Sequence, residues 1–258
     1  MAIRRALERN EFQLYYQPKF DLKTGEVTCL ESLIRWQHPE KGIILPADFI
    51  PMAEETNLIV PIGEWGLRAA CEQAKKWKDI GLPPLRMGVN FSARQFQQEK
   101  LLDRVLSVLE ETGLETSDLE LEITESIAMD QVDKGIKTMN QLSQHGVRLA
   151  IDDFGIGYSS LGYLRQFPVH TLKVDQSFIK NLSTNKDDAA ITAAIIAMGH
   201  NRKLEVIAEG VETKNELGFL KEHQCDGVQG FYLSRPLPAD LLEKFIRTGR
   251  YRELVTEA

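Results

Sequence analysis

The 258-residue chain is 43% hydrophobic and 27% charged, with a formal net charge of −7 at pH 7, which is typical of a soluble globular domain. The negative charge argues against duplex nucleic acid and anionic membrane surfaces as partners, and no apolar run reaches the roughly 18–20 residues that a transmembrane helix needs. The three cysteines are scattered and odd in number, which predicts buried free thiols in a reducing compartment and not a disulfide framework or zinc site.

Eight strand-like runs follow one another along the chain, and helical patterns separate most of them. The first two runs, 12–20 and 27–36, are joined by a turn too short for a crossover helix, so they should pair antiparallel. The other strands are predicted at 85–91, 119–124, 147–152, 171–174, 204–208 and 227–230. Helices are predicted at 1–10, 46–57, 64–79, 98–112, 130–144, 159–165, 187–201, 214–223 and 239–248.

The alternation of strand and helix from residue 80 onward indicates a parallel sheet with crossover helices. Eight strands in about 250 residues favour a closed barrel over an open doubly wound sheet. No glycine-rich dinucleotide fingerprint follows the early strands, which weakens a Rossmann interpretation.

One strand, predicted at 147–152, ends in two adjacent carboxylates, Asp152 and Asp153. Side chains alternate between the faces of a strand, so Asp152 lies on the face opposite to Leu149 and Ile151. In isolation this is an acidic turn before a helix, but polar residues occur on the same face of the other strands. The polar residues expected to converge at the carboxyl-end face of the barrel are Glu31, Asn90, Glu122, Asp152, Asp153, Lys173, Glu209 and Gln229.

The five acids in this set come from four strands, and their mutual repulsion requires an opposing charge. Oxygen ligands with one amide suit Mg²⁺ or Mn²⁺ better than zinc. Two such ions could share Asp152, and a pair of ions is a standard arrangement for phosphodiester hydrolysis. Lys173 could hold the nucleophilic water or neutralise a phosphate; the alternative is a structural ion pair with Asp175 or a strand acid. Arg35 could bind a phosphate oxygen or form a surface salt bridge.

The segment Glu31-Ser32-Leu33-Ile34-Arg35-Trp36, with His38-Pro39 and Gly42 after it, resembles the signature of the EAL-domain cyclic di-GMP phosphodiesterases. The resemblance extends from about residue 11 to residue 238. Its further motifs are Tyr16-Gln17-Pro18, Phe49-Ile50-Pro51-Met52-Ala53-Glu54, Asn90-Phe91-Ser92, Glu120-Leu121-Glu122-Ile123-Thr124-Glu125, Asp152-Asp153-Phe154-Gly155, Leu172-Lys173-Val174-Asp175, Ala208-Glu209-Gly210-Val211-Glu212-Thr213 and Gln229-Gly230-Phe231.

The resemblance implies a single EAL phosphodiesterase domain over residues 1–258, folded as a modified (β/α)8 TIM-like barrel with an antiparallel first strand. It implies hydrolysis of cyclic di-GMP to linear pGpG by a water that two Mg²⁺ or Mn²⁺ ions activate, with Ca²⁺ as an inhibitor. The reaction would lower a bacterial second messenger that governs behaviour such as biofilm formation. A cytoplasmic location, a homodimer and fused sensor or GGDEF domains in a longer chain belong to the same expectation.

The resemblance also assigns roles to individual residues. Glu31, Asn90, Glu122 and Asp152 would bind one ion, and Asp152, Asp153 and Glu209 would surround the other. Lys173 would orient the attacking water, acting with Asp153 and Glu209, and Glu125 would brace the loop after Asp153. Gln17, Leu33, Arg35 and Gln229 would contact the substrate, and Glu212 would support the site.

Three positions depart from the family pattern without removing a metal ligand. Ser32 replaces an alanine, Ile156 replaces a threonine in the loop after Asp153, and Phe231 replaces a tyrosine. Two other functions stay open: a non-catalytic cyclic di-GMP receptor, and an enolase-like barrel in which acids hold Mg²⁺ and a lysine abstracts a proton. The full set of acids argues against the first, and the signature that begins at Glu31 argues against the second.

Overall fold

The computed structural model describes residues 2–157, 161–182 and 184–256, and within this part of the chain eight strands close a barrel while a ninth extends one edge. The strands are β1 (Phe12–Asp21), β2 (Val27–His38), β3 (Gly42–Ile44), β4 (Arg86–Asn90), β5 (Leu119–Thr124), β6 (Arg148–Phe154), β7 (Thr171–Val174), β8 (Glu205–Ala208) and β9 (Gly227–Val228). The helices are α1 (Ala2–Glu8), α2 (Pro46–Glu55), α3 (Ile59–Asp79), α4 (Ala93–Phe96), α5 (Leu101–Thr112), α6 (Glu125–Met129), α7 (Val132–Gln144), α8 (Leu161–Leu164), α9 (Gln176–Ile179), α10 (Lys186–Asn201), α11 (Lys214–Glu222), α12 (Ala239–Thr248) and α13 (Tyr251–Thr256).

The first strand is the irregular member of the barrel. β1 pairs antiparallel with both of its neighbours, β2 and β9, whereas the pairs from β2–β4 to β8–β9 are parallel. The connection from β1 to β2 is a tight turn in which an Asp21 carboxylate oxygen accepts hydrogen bonds from the backbone N–H groups of Lys23 and Thr24. The predicted modified barrel with an antiparallel first strand is therefore confirmed.

Several predicted boundaries were wrong because of local backbone chemistry. The helix predicted at 130–144 begins at Val132 as α7, and the unpredicted α6 ends before it at Met129; Gln131, with a left-handed φ of 46°, separates the two. The helix predicted at 98–112 begins at Leu101, and the short α4 precedes it with a Ser92–Gln95 capping box at its start. The helix predicted at 64–79 begins at Ile59, where the chain packs into a core beside β2.

Other differences concern the ends of strands and two short elements. β6 continues to Phe154, two residues past the predicted end, while β9 stops at Val228. β3 and α13 were not predicted, since three and six residues carry too little periodicity to be recognised. Part of the predicted helix at 159–165 lies outside the described residues, and α8 accounts for the described part.

Two apolar cores flank the polar interior of the barrel. The larger one lies between the outward faces of the strands and the surrounding helices, with residues such as Leu121, Leu149 and Leu172 fully buried. The smaller one fills the space beneath α1, α2 and the start of α3, around Phe12, Trp36 and Phe49. All three cysteines lie in the described part as buried free thiols, as predicted. None of the helices in the described ranges is long and apolar enough to cross a membrane.

Candidate active site

The carboxyl ends of the strands place the predicted acids around one buried lysine. Lys173 is fully buried, and its Nζ lies 2.7 Å from Glu209 Oε1, 3.1 Å from Asp152 Oδ2 and 3.5 Å from Glu31 Oε2. The same ammonium also contacts Glu122 Oε2. The structure therefore brings together side chains from five elements of the barrel, as the strand parity predicted.

The acids form two groups that share one member. One ligand oxygen from each of Glu31, Glu122 and Asp152 lies within 4.8 Å of the others, and the same holds for Asp152, Asp153 and Glu209. Asn90 donates from its Nδ2 to Glu31 Oε1 at 2.6 Å, which keeps an amide oxygen beside the first group. Oxygen donors of this kind suit Mg²⁺ or Mn²⁺. The donor set fits two divalent ions, and the individual ligand roles remain predictions.

Backbone conformation explains how two consecutive residues both face the site. Adjacent side chains of a regular strand point to opposite faces, so Asp152 and Asp153 would diverge. The pairing of β6 with β7 shifts register between Ile151 and Phe154, and Asp153 adopts a left-handed φ of 53°. Its N–H donates to Asp152 Oδ1 at 2.9 Å. This irregularity turns the second carboxylate back toward the barrel axis.

The segment after Asp153 is held by Glu125. The Gly155 N–H donates to Glu125 Oε2 at 3.1 Å, and Gly155 has a φ of 103°, a conformation that side chains other than glycine rarely adopt. A side chain at Gly155 would also meet the ring of Phe178 at 2.7 Å. This geometry supports the bracing role predicted for Glu125.

Burial and charge compete at the acids nearest the two buried lysines. Burial opposes ionisation of Glu31, but the ammonium groups of Lys173 and Lys19 outweigh it and lower the pKa of Glu31 to about 2. At Glu122 burial prevails over the same two lysines, so its pKa is raised. Lys173 is itself buried, yet the surrounding carboxylates raise its pKa well above the usual value. Lys173 is therefore an ammonium ion in this environment.

In the second acid group, Asp152, Asp153 and Glu209, the nearby positive charge does not offset the effect of burial on two of the carboxyls. Burial, then the nearby Asp152 and Asp175, raise the pKa of Asp153 to about 6. Burial also raises the pKa of Glu209 well above its usual value despite the contact with Lys173. A carboxyl with a raised pKa favours protonation, and a divalent cation beside it would restore the ionised form.

Three of the four predicted substrate residues line a cavity of about 220 Å³ above the acids, and Arg35 does not belong to its lining. Gln17, Leu33, Gln229 and Glu212 belong to its lining, together with Phe231. Gln229 Nε2 donates to Glu31 Oε2 at 2.7 Å and to Gln17 Oε1 at 3.0 Å. The amides of Gln17 and Gln229 are thus fixed relative to the acid cluster.

Of the alternatives predicted for the charged residues, the ion pair of Lys173 with strand acids is present, whereas its pair with Asp175 and a surface salt bridge of Arg35 were wrong. Asp175 does not serve as the ion-pair partner of Lys173 but caps α9, accepting from the Ser177 N–H at 2.8 Å. Arg35 is half-buried; it donates to the Ile34 carbonyl at 2.9 Å, and its guanidinium lies 5.5 Å from the centre of the Tyr15 ring. Arg35 is therefore held by its own strand hairpin.

The three departures from the family pattern lie outside the acid cluster. Ser32 is buried on the outward face of β2, and its hydroxyl donates to the Gly88 carbonyl at 2.8 Å. Ile156 is 61% exposed. Phe231 is 47% exposed at the cavity, with the Arg235 guanidinium 4.3 Å from its ring centre.

Sequence reasoning missed one residue that contacts the cluster. Lys19 is 1% exposed and donates to Glu122 Oε1 at 2.5 Å, while Glu120 Oε1 lies 3.6 Å from the same ammonium. The signal was available, because Lys19 lies two residues from Gln17 and therefore on the same face of β1.

The sequence model of the EAL domain matches residues 1–236. The chain belongs to the EAL domain family. This EAL domain is 47% identical over 240 residues to the bifunctional diguanylate cyclase/cyclic di-GMP phosphodiesterase MucR of Pseudomonas aeruginosa, covering 93% of this chain and 35% of that protein. It is 44% identical over 249 residues to the cyclic di-GMP phosphodiesterase NbdA of the same organism, covering 96% of this chain and 32% of that protein.

A solved structure described as the PaMucR phosphodiesterase in complex with c-di-GMP has the same fold as this EAL domain. The TM-score is 0.91 at 47% sequence identity, covering 93% of this chain and 97% of that chain. The chain spans about a third of the length of the curated relatives it matches.

Proposed function

We propose that this EAL domain hydrolyses one phosphodiester bond of cyclic di-GMP to give linear pGpG, with two Mg²⁺ or Mn²⁺ ions bound at the acid cluster. The observation that carries the proposal is the pair of overlapping acid groups that share Asp152 beside Lys173. The relatives named as cyclic di-GMP phosphodiesterases support the choice of substrate. The reaction would lower the concentration of the messenger in a bacterial cell.

The chain's own residues would perform binding and orientation. Glu31, Asn90, Glu122 and Asp152 would hold one ion, and Asp152, Asp153 and Glu209 the other. Such ions would supply a reactive water and offset phosphate charge. Lys173 keeps its proton in this environment, so it would act as a cation that orients the water and stabilises negative charge that develops on the phosphate oxygens.

The cavity above the acids would hold the dinucleotide. Leu33 and Phe231 offer apolar surface for a purine, and the amides of Gln17 and Gln229 offer polar groups beside the acids. Arg35, next to this wall on β2, would contact a phosphate after releasing the Ile34 carbonyl. Glu125, at the start of α6, would brace the loop that follows Asp153, and Glu212 would support the site from the loop that follows Glu209.

The setting of the reaction is part of the same proposal. Three buried free thiols support a reducing compartment, which for a bacterial enzyme is the cytoplasm. We also propose that the domain forms a homodimer and that it is fused to sensor or GGDEF domains in a longer chain. Relatives about three times as long as the matched segment support the fused domains.

The test is to incubate the purified chain with cyclic di-GMP and separate the nucleotides by chromatography. Mg²⁺ or Mn²⁺ should yield pGpG, because small ions with octahedral geometry align a water with the phosphate. Ca²⁺ should support binding and inhibit cleavage, since its longer and more variable bonds align the phosphodiester poorly. A chelator should abolish cleavage and weaken binding, because the acids would repel the phosphates.

Each outcome separates the proposed enzyme from its alternatives. Binding without any product in both Mg²⁺ and Mn²⁺ would make the domain a receptor. Neither binding nor product would remove cyclic di-GMP as the ligand and return the enolase-like alternative to consideration.

A further inference from the structure

Two buried ammonium groups hold the carboxylate of Glu122 from opposite sides. Lys19 donates to Oε1 at 2.5 Å, and Lys173 contacts Oε2. The side chains of Lys19, Lys173 and Glu122 are at most 1% exposed. The Glu122 oxygen near Lys173 shares that ammonium with Glu31 and Asp152, the other acids of the first group, whereas the other Glu122 oxygen contacts Lys19.

The Glu122 carboxylate occupies space that is free only because Gly88 has no side chain. A Cβ at Gly88 would lie 2.1 Å from Glu122 Oε1 and 3.2 Å from its Cδ, whereas the nearest backbone atom would be 3.5 Å away. Gly88 pairs with Glu31 on one side and Glu120 on the other, so its missing side chain faces the barrel interior. An alanine there would move the end of one flexible side chain and little else.

Building on the proposed metal-dependent hydrolysis, we propose that Lys19 and Gly88 are positioning residues for the metal centre. Lys19 holds one oxygen of Glu122, and Gly88 makes room for the carboxylate, so that the other oxygen is presented to the ion. Replacing a residue that orients a metal ligand through a hydrogen bond typically lowers metal affinity or activity about 10–100-fold.

A purely structural role for Lys19 predicts different behaviour. Lys19 also lies 3.6 Å from Glu120, so it could serve only to neutralise buried acids. In that case its removal would destabilise the fold without weakening the metal site. Loss of a positive charge near the site would by itself strengthen cation binding, because like charges repel. Weaker binding in a folded variant is therefore the signature of lost positioning.

The experiment measures Mn²⁺ binding by titration calorimetry without substrate, with thermal unfolding recorded on each protein. Lys19→Met and Gly88→Ala should each raise the Kd for Mn²⁺ about 10–100-fold. Glu120→Gln removes the other acid near Lys19 and should lower stability while leaving the Kd unchanged. Gly218→Ala, at a helix position where a Cβ would meet no atom within 4 Å, is the control for the glycine substitution and should bind as the parent does.

The outcomes distinguish this inference from the function on which it rests. A parent protein that binds no Mn²⁺ would overturn the metal centre itself. A parent that binds Mn²⁺, with Lys19→Met binding equally or more tightly, would overturn the positioning role. Equal weakening in Glu120→Gln would show a general packing effect and also overturn it. If Lys19→Met fails to fold, Gly88→Ala decides: an unchanged Kd contradicts the inference, and a raised one supports it.

Discussion

Replacing Asp152 with asparagine should lower the turnover of cyclic di-GMP more than about 100-fold. This loss exceeds the usual effect of replacing a residue that only hydrogen-bonds to a metal ligand. Asp152 is the acid common to both groups, so the substitution removes one negative charge and one good ligand from two ion positions at once. The fold should persist, because Lys173 keeps its contacts with Glu31 and Glu209. Steady-state kinetics with Mn²⁺, together with thermal unfolding, would measure both effects.

Asp103→Asn is the matched control, since Asp103 is exposed at the start of α5, an element that carries none of the acids of the cluster. It should retain the parent's turnover. Hydrolysis at the parent rate by Asp152→Asn would show that the reaction takes place elsewhere on the chain.

Replacing Lys173 with methionine should reduce kcat far more than it raises KM, because a cation that stabilises developing charge acts mainly in the transition state. The same variant should be less stable in chelator by about 3–5 kcal/mol, the usual cost of leaving buried charges without their partner. Added Mn²⁺ should recover much of that loss, since divalent ions would neutralise the same acids.

The control is Lys137→Met on the exposed face of α7, which should change neither kinetics nor stability. Equal losses in kcat and substrate affinity for Lys173→Met would make Lys173 a ligand for the ground-state phosphate. Stability in chelator that equals that of the parent would contradict the charge balance inferred for the cluster.

Periodicity was sufficient to predict the barrel and most of the cluster. The short connection between β1 and β2 allowed only an antiparallel pair, and the strict alternation of β5 placed Glu122 on the face opposite to Leu121. Such patterns are local, so they can be recognised from a short stretch of sequence.

Features that depend on long-range contacts or special backbone geometry were not predictable in the same way. Lys19 is buried because Glu122, 103 residues away in the sequence, accepts its hydrogen bond. Asp153 was correctly expected at the site, but the reason was not predictable: alternation alone would turn it away from Asp152, and its positive φ turns it back. The break between α6 and α7 depends on the similar conformation of Gln131, which carries no sequence signal of its own.

The most direct test of the two-ion site is anomalous X-ray diffraction from crystals of the domain soaked with Mn²⁺. The account predicts two anomalous peaks on either side of Asp152. One should contact Glu31, Asn90 and Glu122, and the other should contact Asp153 and Glu209. Anomalous peaks that lie only at acidic residues outside this cluster, with Lys173 still bound to the carboxylates, would contradict the two-ion site.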